Sequence, residues 1–326
     1  MSAKRMNRWL GFASLKAASV VAAVAVASVV VGQASASPTN FYTLADGNSI
    51  TDFSVDSPDG QFSWRVEGPN GDFLETLNRQ WFWFRLDGDA AETSLDQLDL
   101  TPDVTLSDRG GEPDAGKEVL EATYSGTDLR VKVTYTLIGE GPDSNTAQLL
   151  ELIEIENTSG SDIEVDFFQL VDFNLPFQAT PDYVRIRNGA IAEQYSSEME
   201  ITEEVLSKLP ESAAGAGTAP LPSRYEVGDG GDGSGSLYNK LQDASLTDLI
   251  YGYGDGDTPT YGGSDNPDVA WAFQWTRQIA PGDSFAISKV KGFTQNPNEI
   301  PEPATAMLMA ALSVFCLSRG RSRRAA

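Results

Sequence analysis

From Leu129 to Leu137 the chain alternates without a break. Leu129, Val131, Val133, Tyr135 and Leu137 fall on one face, and Arg130, Lys132, Thr134 and Thr136 on the other. A side-chain period of two belongs to a strand with one face in a core and one in water, and a helix cannot use it. The rhythm returns in Leu149–Glu156, where Ile153 and Ile155 oppose Glu154 and Glu156. It returns again in Ile163–Phe173, which puts Ile163, Val165, Phe167, Val171 and Phe173 on one face. Turn residues from Asn157 to Asp162 separate these two. The three segments together predict an antiparallel meander. Further strands are expected at Phe62–Val66, Gln80–Leu86, Val119–Tyr124, Tyr183–Arg187, Val269–Thr276 and Phe285–Val290. Helix signals are few, with Met199–Leu209 and Leu237–Tyr251 the best candidates. Residues 212–236, rich in Gly, Pro, Ser and Asp, read as a long loop. No fixed repeat appears, which disfavours solenoids and propellers. The expected fold is all-β, a single antiparallel β-sandwich spanning residues 37–300.

Composition removes several chemistries. The 326 residues include no histidine and one cysteine. Catalytic triads that need His, and metal sites that need His, are excluded, as is an intramolecular disulfide. The net charge of −24 argues against nucleic acid as a partner, because binding phosphates requires Lys and Arg.

The two ends read as addresses. Lys4, Arg5, Arg8 and Lys16 precede the apolar run Ala17–Val31, and Ala34-Ser35-Ala36 has the small-x-small pattern that signal peptidase cuts. Residues 1–36 are therefore expected to be a signal peptide. An anchor is the alternative, but the apolar run is only about 15 residues, against the ~20 a spanning helix needs. At the other end stand Pro301-Glu302-Pro303, the apolar run Ala304–Leu317, and Arg319, Arg321, Arg323 and Arg324. A helix over Ala304–Leu317 would rise ~21 Å against ~30 Å of hydrocarbon, so it lodges only if the arginines snorkel. The positive-inside rule keeps those arginines cytoplasmic and places the body across the inner membrane. Eight of the 23 basic residues lie in the two ends. With Glu302 kept, the body has 15 basic and 47 acidic side chains, a net −32, and Cys316 falls in the tail. Such a charge makes divalent cations plausible partners.

Residues 301–326 resemble the PEP-CTERM sorting signal of Gram-negative bacteria, in the order Pro-Glu-Pro, short apolar helix, basic terminus. The resemblance implies processing by exosortase, with the precursor held transiently at the inner membrane and the mature form at the cell surface or outside. It also implies a host that makes exopolysaccharide. This type of tail also goes by the name of an ice-binding protein C-terminal domain, yet the body has no regular threonine array. The stretches Arg79–Leu86, Phe167–Leu175 and Trp271–Lys289 are similar to uncharacterised β-sandwich regions upstream of such tails, which implies a fold and no chemistry.

Candidate sites are sparse. Trp81 and Trp83 share a strand face, as do Trp271 and Trp275. Exposed, such rows would stack on sugar rings; buried, they are core. Asp229, Asp232, Asp255 and Asp257, with Asp265 and Asp268 nearby, offer hard oxygen ligands for calcium, although no EF-hand or tandem nonapeptide pattern is complete. Asp166 and Asp172 share a strand, but six residues of strand separate them by ~20 Å, too far for a glycosidase pair. No phosphate loop or nucleophile elbow is present, and no catalytic residue or cofactor is expected. The expected function is structural or adhesive within exopolysaccharide. The alternative is a carbohydrate-binding or carbohydrate-active sandwich.

Overall fold

The computed structural model describes residues 40–295, except 69–70, 72, 102–103, 111–115, 142–143, 176–181, 197–198, 210–217 and 265–267. The signal peptide and the sorting tail expected at the two ends lie outside the described residues, as does Asp265.

Two large sheets make up the described chain. The first runs, from edge to edge, through Phe41–Asp46, Ser49–Ser54, Gly60–Glu67, Leu77–Leu86, Ile163–Phe173, Val269–Ile279, Arg224–Asp229 and Tyr251–Gly252. The second runs through Tyr261–Gly262, Tyr183–Arg187, Ile191–Tyr195, Met199–Leu206, Ser284–Gln295, Thr146–Asn157, Leu129–Ile138, Val119–Ser125 and Asp99–Leu100. The pairings are antiparallel, except a short parallel contact in which Gly60 and Gln61 meet Gln80. The sheets face one another. Trp64 of the first meets Phe293 of the second at 6.5 Å between ring centroids, and Phe53 meets Tyr135 at 4.5 Å. This is the expected all-β sandwich.

Alternation accounts for most strands. Leu129, Val131, Val133, Tyr135 and Leu137 are buried, and the residues between them are more exposed. In Ile163–Phe173 the alternation breaks down from Phe167 onward, where both faces are buried. Inward-facing Phe167 stacks with Phe82 at 5.6 Å, and Phe173 stacks with Trp271 at 5.6 Å. On the outer face of this sheet the helix Leu237–Gln242 sets Tyr238 against Trp83, the strand neighbour of Phe168.

Four expectations are corrected. The third strand of the predicted meander, Ile163–Phe173, leaves its predecessors and pairs in the opposite sheet between Leu77–Leu86 and Val269–Ile279. The turn at 157–162 is a crossing between layers: Asn157 donates to the carbonyls of Ser161 and Ile279 and so staples it. The helix expected from Met199 is a strand, Met199–Leu206, because Met199, Ile201, Glu203 and Val205 all point inward with period two. The helix expected over Leu237–Tyr251 spans only Leu237–Gln242. Ser236 caps it by accepting from the Asn239 amide at 3.1 Å, and Ala244 takes a positive φ of 55° just beyond it. Inside the expected loop 212–236 lies the strand Arg224–Asp229, held against Val269–Ile279.

Candidate functional site

The four tryptophans weighed as a sugar platform are core. Trp81, Trp83, Trp271 and Trp275 have between 0 and 2% of their surface exposed. Trp81 donates to Ser94 Oγ, Trp275 to the Pro220 carbonyl and Trp271 to Glu203. A sugar cannot stack on rings sealed in this way, so the exposed-row reading is corrected.

Sequence reasoning missed a charged centre in the interior. Glu151, Glu203, Lys289 and Lys291 all point from the second sheet into the space between the layers, and all four side chains have zero exposure. Strand register brings them together, since Glu151 lies opposite Lys289 and Glu203 opposite Lys291. Lys289 Nζ is 2.5 Å from Glu151 and 3.1 Å from Glu203. Lys291 bonds Glu151 and sits 3.6 Å from Glu203. The first sheet supplies the remaining donors: Gln80 to Glu151 at 2.8 Å, Gln169 to Glu203 at 2.8 Å and Trp271 to Glu203 at 2.7 Å. Burial alone would raise the Glu151 carboxyl, but the two lysines outweigh it and hold the group well below the usual carboxylate range. Burial pulls the Lys291 ammonium down, against the opposing pull of Glu151 and Glu203. The charges cancel two against two, which is what makes the burial tolerable. A signal was present in the sequence: Leu149-x-Glu151-x-Ile153, Ile201-x-Glu203-x-Val205 and Ile287-x-Lys289-x-Lys291-x-Phe293 each place a charge in the apolar phase of a strand.

A second polar group lies on the outer face of the first sheet. Arg85 bridges Asp166, Glu92 and Asp248, while Asp166 also accepts from Thr276 and Gln274. Asp166 is thereby fully engaged as a strut. Asp172 lies at the far end of the same strand with its own partners, so the two do not work as a pair.

The acidic residues considered for calcium separate into two groups. Asp255 accepts from the Gly252 amide at 2.7 Å, and Asp257 from the Asn188 amide at 2.9 Å, so both serve as turn caps. Asp229 instead ends the strand Arg224–Asp229, and Asp232 lies on the turn beyond it. There Asp229 accepts from the Gly231 amide and Asp232 pairs with Arg79. Asp172 and Asp268 border that same turn. Among the described residues no three acidic side chains are gathered in metal-ligand geometry.

The outer surface holds a groove of about 730 Å³ at the edge of the first sheet, lined in part by Arg224, Ile250, Tyr253, Asp255 and Arg277. Ile250 and Tyr253 expose 63 and 59% of their surface. Arg224 donates to the Leu249 carbonyl and Arg277 to that of Thr276, which orders both guanidinium groups along the groove.

No protein-family model matches this sequence, and no curated protein is similar to it. Solved structures of similar overall shape include a bacterial glucoamylase complexed with acarbose, 12% identical, with a TM-score of 0.46 over 86% of this chain and 35% of that one. A galactose mutarotase related enzyme from Lactobacillus acidophilus is 9% identical, with a TM-score of 0.44 over 80% of this chain and 100% of that one. A galactose mutarotase-like protein from Lactobacillus casei is 8% identical, with a TM-score of 0.45 over 78% and 100%. This chain spans about a third of the glucoamylase's length. At these identities and scores no activity carries over.

Proposed function

We propose that this chain is an exported, non-catalytic β-sandwich protein of the cell surface or extracellular matrix, sorted through an exosortase route and acting structurally or adhesively within exopolysaccharide. The interior supports the non-catalytic reading: the grouping of carboxylates and amines at Glu151, Glu203, Lys289 and Lys291 is neutralised internally and has no exposed atom to offer a substrate. The sorting route rests on the tail from Pro301 to Arg324. Deleting Pro301–Ala326 should move the protein from the surface fraction into another, and an unchanged distribution would refute that route. Purified chain incubated with polysaccharide should release no new reducing ends; their appearance would refute the non-catalytic reading.

A second reading is favoured by the groove beside Tyr253. An exposed aromatic ring next to two arginines and a carboxylate is the equipment of a glycan-binding surface, with a flat apolar face for the sugar ring and charged forks for its hydroxyls or acid groups. Co-sedimentation with the host's own exopolysaccharide separates the two readings. Saturable binding that Tyr253→Ala lowers at least tenfold, with unchanged thermal stability, selects glycan recognition. Absence of binding, or binding indifferent to Tyr253, rejects it at this groove.

A further inference from the structure

We propose that the turn Asp229–Asp232 and the carboxylates of Asp172 and Asp268 form a calcium site at one end of the first sheet. Two observations point there independently of the acidic composition. Asp172 has zero exposure; its Oδ2 accepts from Asn78 at 2.7 Å, but its Oδ1 is buried with no donor. Asp268 Oδ1 is likewise buried with no donor. A buried carboxylate oxygen without a partner is costly, and two sharing one space point to a missing positive group.

The two orphaned oxygens converge on one spot. A Cβ placed on Gly230 would lie 2.6 Å from Asp268 Oδ1 and 2.9 Å from Asp172 Oδ1. Only glycine lets the turn pass this close to both oxygens. On the next residue, a Cβ at Gly231 would lie 3.2 Å from both Asp229 Oδ1 and Asp268 Oδ2, so three carboxylates border the two glycines. Strand pairing fixes the arrangement: Asp229 is in register with Val269, next to Asp268, and the Gly230 amide donates to the Asp268 carbonyl at 3.2 Å. Arg79 does not fill the gap. Its guanidinium stacks 3.7 Å over the Tyr238 ring and pairs with exposed Asp232 at 3.1 Å. Four carboxylates thus face one arginine.

The ligand chemistry selects the ion. The donors are all oxygen, which excludes soft metals, and they come from a loop and two strand ends that can adjust. Calcium accepts irregular coordination at about 2.3–2.6 Å and completes its shell with carbonyls and water, whereas magnesium demands a near-ideal octahedron. Asp172 and Asp268 are the anchoring pair; Asp229, whose Oδ1 accepts from the Gly231 amide in the ion-free chain, completes the set by swinging in with the turn when the ion binds.

The test uses the full chain, stripped with EDTA and titrated with calcium chloride. Thermal unfolding should shift upward by about 5 °C at a hundredfold excess over Kd, and equilibrium dialysis should count an ion that both Asp172→Asn and Asp268→Asn lose. Each variant should also melt higher than the wild type in EDTA, because it relieves the unpaired charge. No calcium shift in the wild type would overturn the proposal. So would an equal shift with matched sodium chloride or magnesium, or a response retained in both variants.

Discussion

Replacing Lys289 by methionine isolates the charge balance of the interior. Methionine matches the lysine stem, and the Lys289 ammonium lies 5.3 Å from the Phe82 ring centroid, a contact a thioether makes well. The packing loss is therefore small and the electrostatic loss dominates. K289M leaves Glu151 and Glu203 sharing Lys291 alone, so one negative charge stays uncompensated where exposure is zero. Breaking a buried pair in this way costs about 4 kcal/mol. Roughly 225 described residues at about 2.1 cal/mol/K each give an unfolding entropy near 0.47 kcal/mol/K, so the midpoint should fall by about 8 °C. The double variant K289M/E151Q removes one charge of each sign and leaves the Lys291–Glu203 pair intact. Its cost should be about 1 kcal/mol, well below the sum of K289M and E151Q, each of which leaves one buried charge unpaired. Urea unfolding followed by tryptophan emission reads all three variants. A K289M loss below about 1 kcal/mol, or a double variant as unstable as the sum of the two singles, would refute the reasoning.

Two other outcomes follow from the same geometry. Because the fold holds the Glu151 carboxyl below its unfolded value, the unfolded chain binds the extra proton first; the stabilisation is full above the ordinary carboxylate range and is lost as pH falls toward about 2. The urea midpoint should therefore drop more steeply between pH 5 and pH 3 in the wild type than in E151Q, and parallel curves would count against it. Gly60 has φ +58° and lies against the Gln80 carbonyl and the Trp81 ring, so G60A should cost at least about 2 kcal/mol. Gly88, at φ +91° with open space around it, should lose only about 1 kcal/mol in G88A, and equal losses would remove crowding as the cause.

The strands were legible where one face meets water, because the period of two then shows in polarity. Leu129–Ile138 and Thr146–Asn157 are such strands. Where the second face is also covered, as from Phe167 to Phe173, the pattern marks a strand but not its layer, and the crossing at 157–162 was invisible. Met199–Leu206 was misread because its glutamates, good helix formers, masked an inward alternation. The strand Arg224–Asp229 is short and sits among glycines and prolines, so its neighbour Val269–Ile279, rather than its own composition, makes it a strand. For the sites, sequence marked Asp229, Asp232 and Asp268 as oxygen ligands but weighed Asp172 only against Asp166, because strand register alone brings Asp172 near that turn. The interior charges stood in plain phase with their strands; only pairing across three strands reveals that they cancel.

The order of the strands also sets the order of assembly. Val269–Ile279 lies in the middle of the first sheet, between Ile163–Phe173 and Arg224–Asp229, and Ser284–Gln295 lies in the middle of the second, between Met199–Leu206 and Thr146–Asn157. These are the last two strands of the described chain. Until they arrive, each layer is two half-sheets with bare inner edges, and Glu151 and Glu203 have no ammonium beside them. A chain that emerges N-terminus first stays open until these two strands arrive, one for each layer, and then closes as a single cooperative event. The arch formed by residues 269–295, one strand in each layer, is the clasp of both sheets.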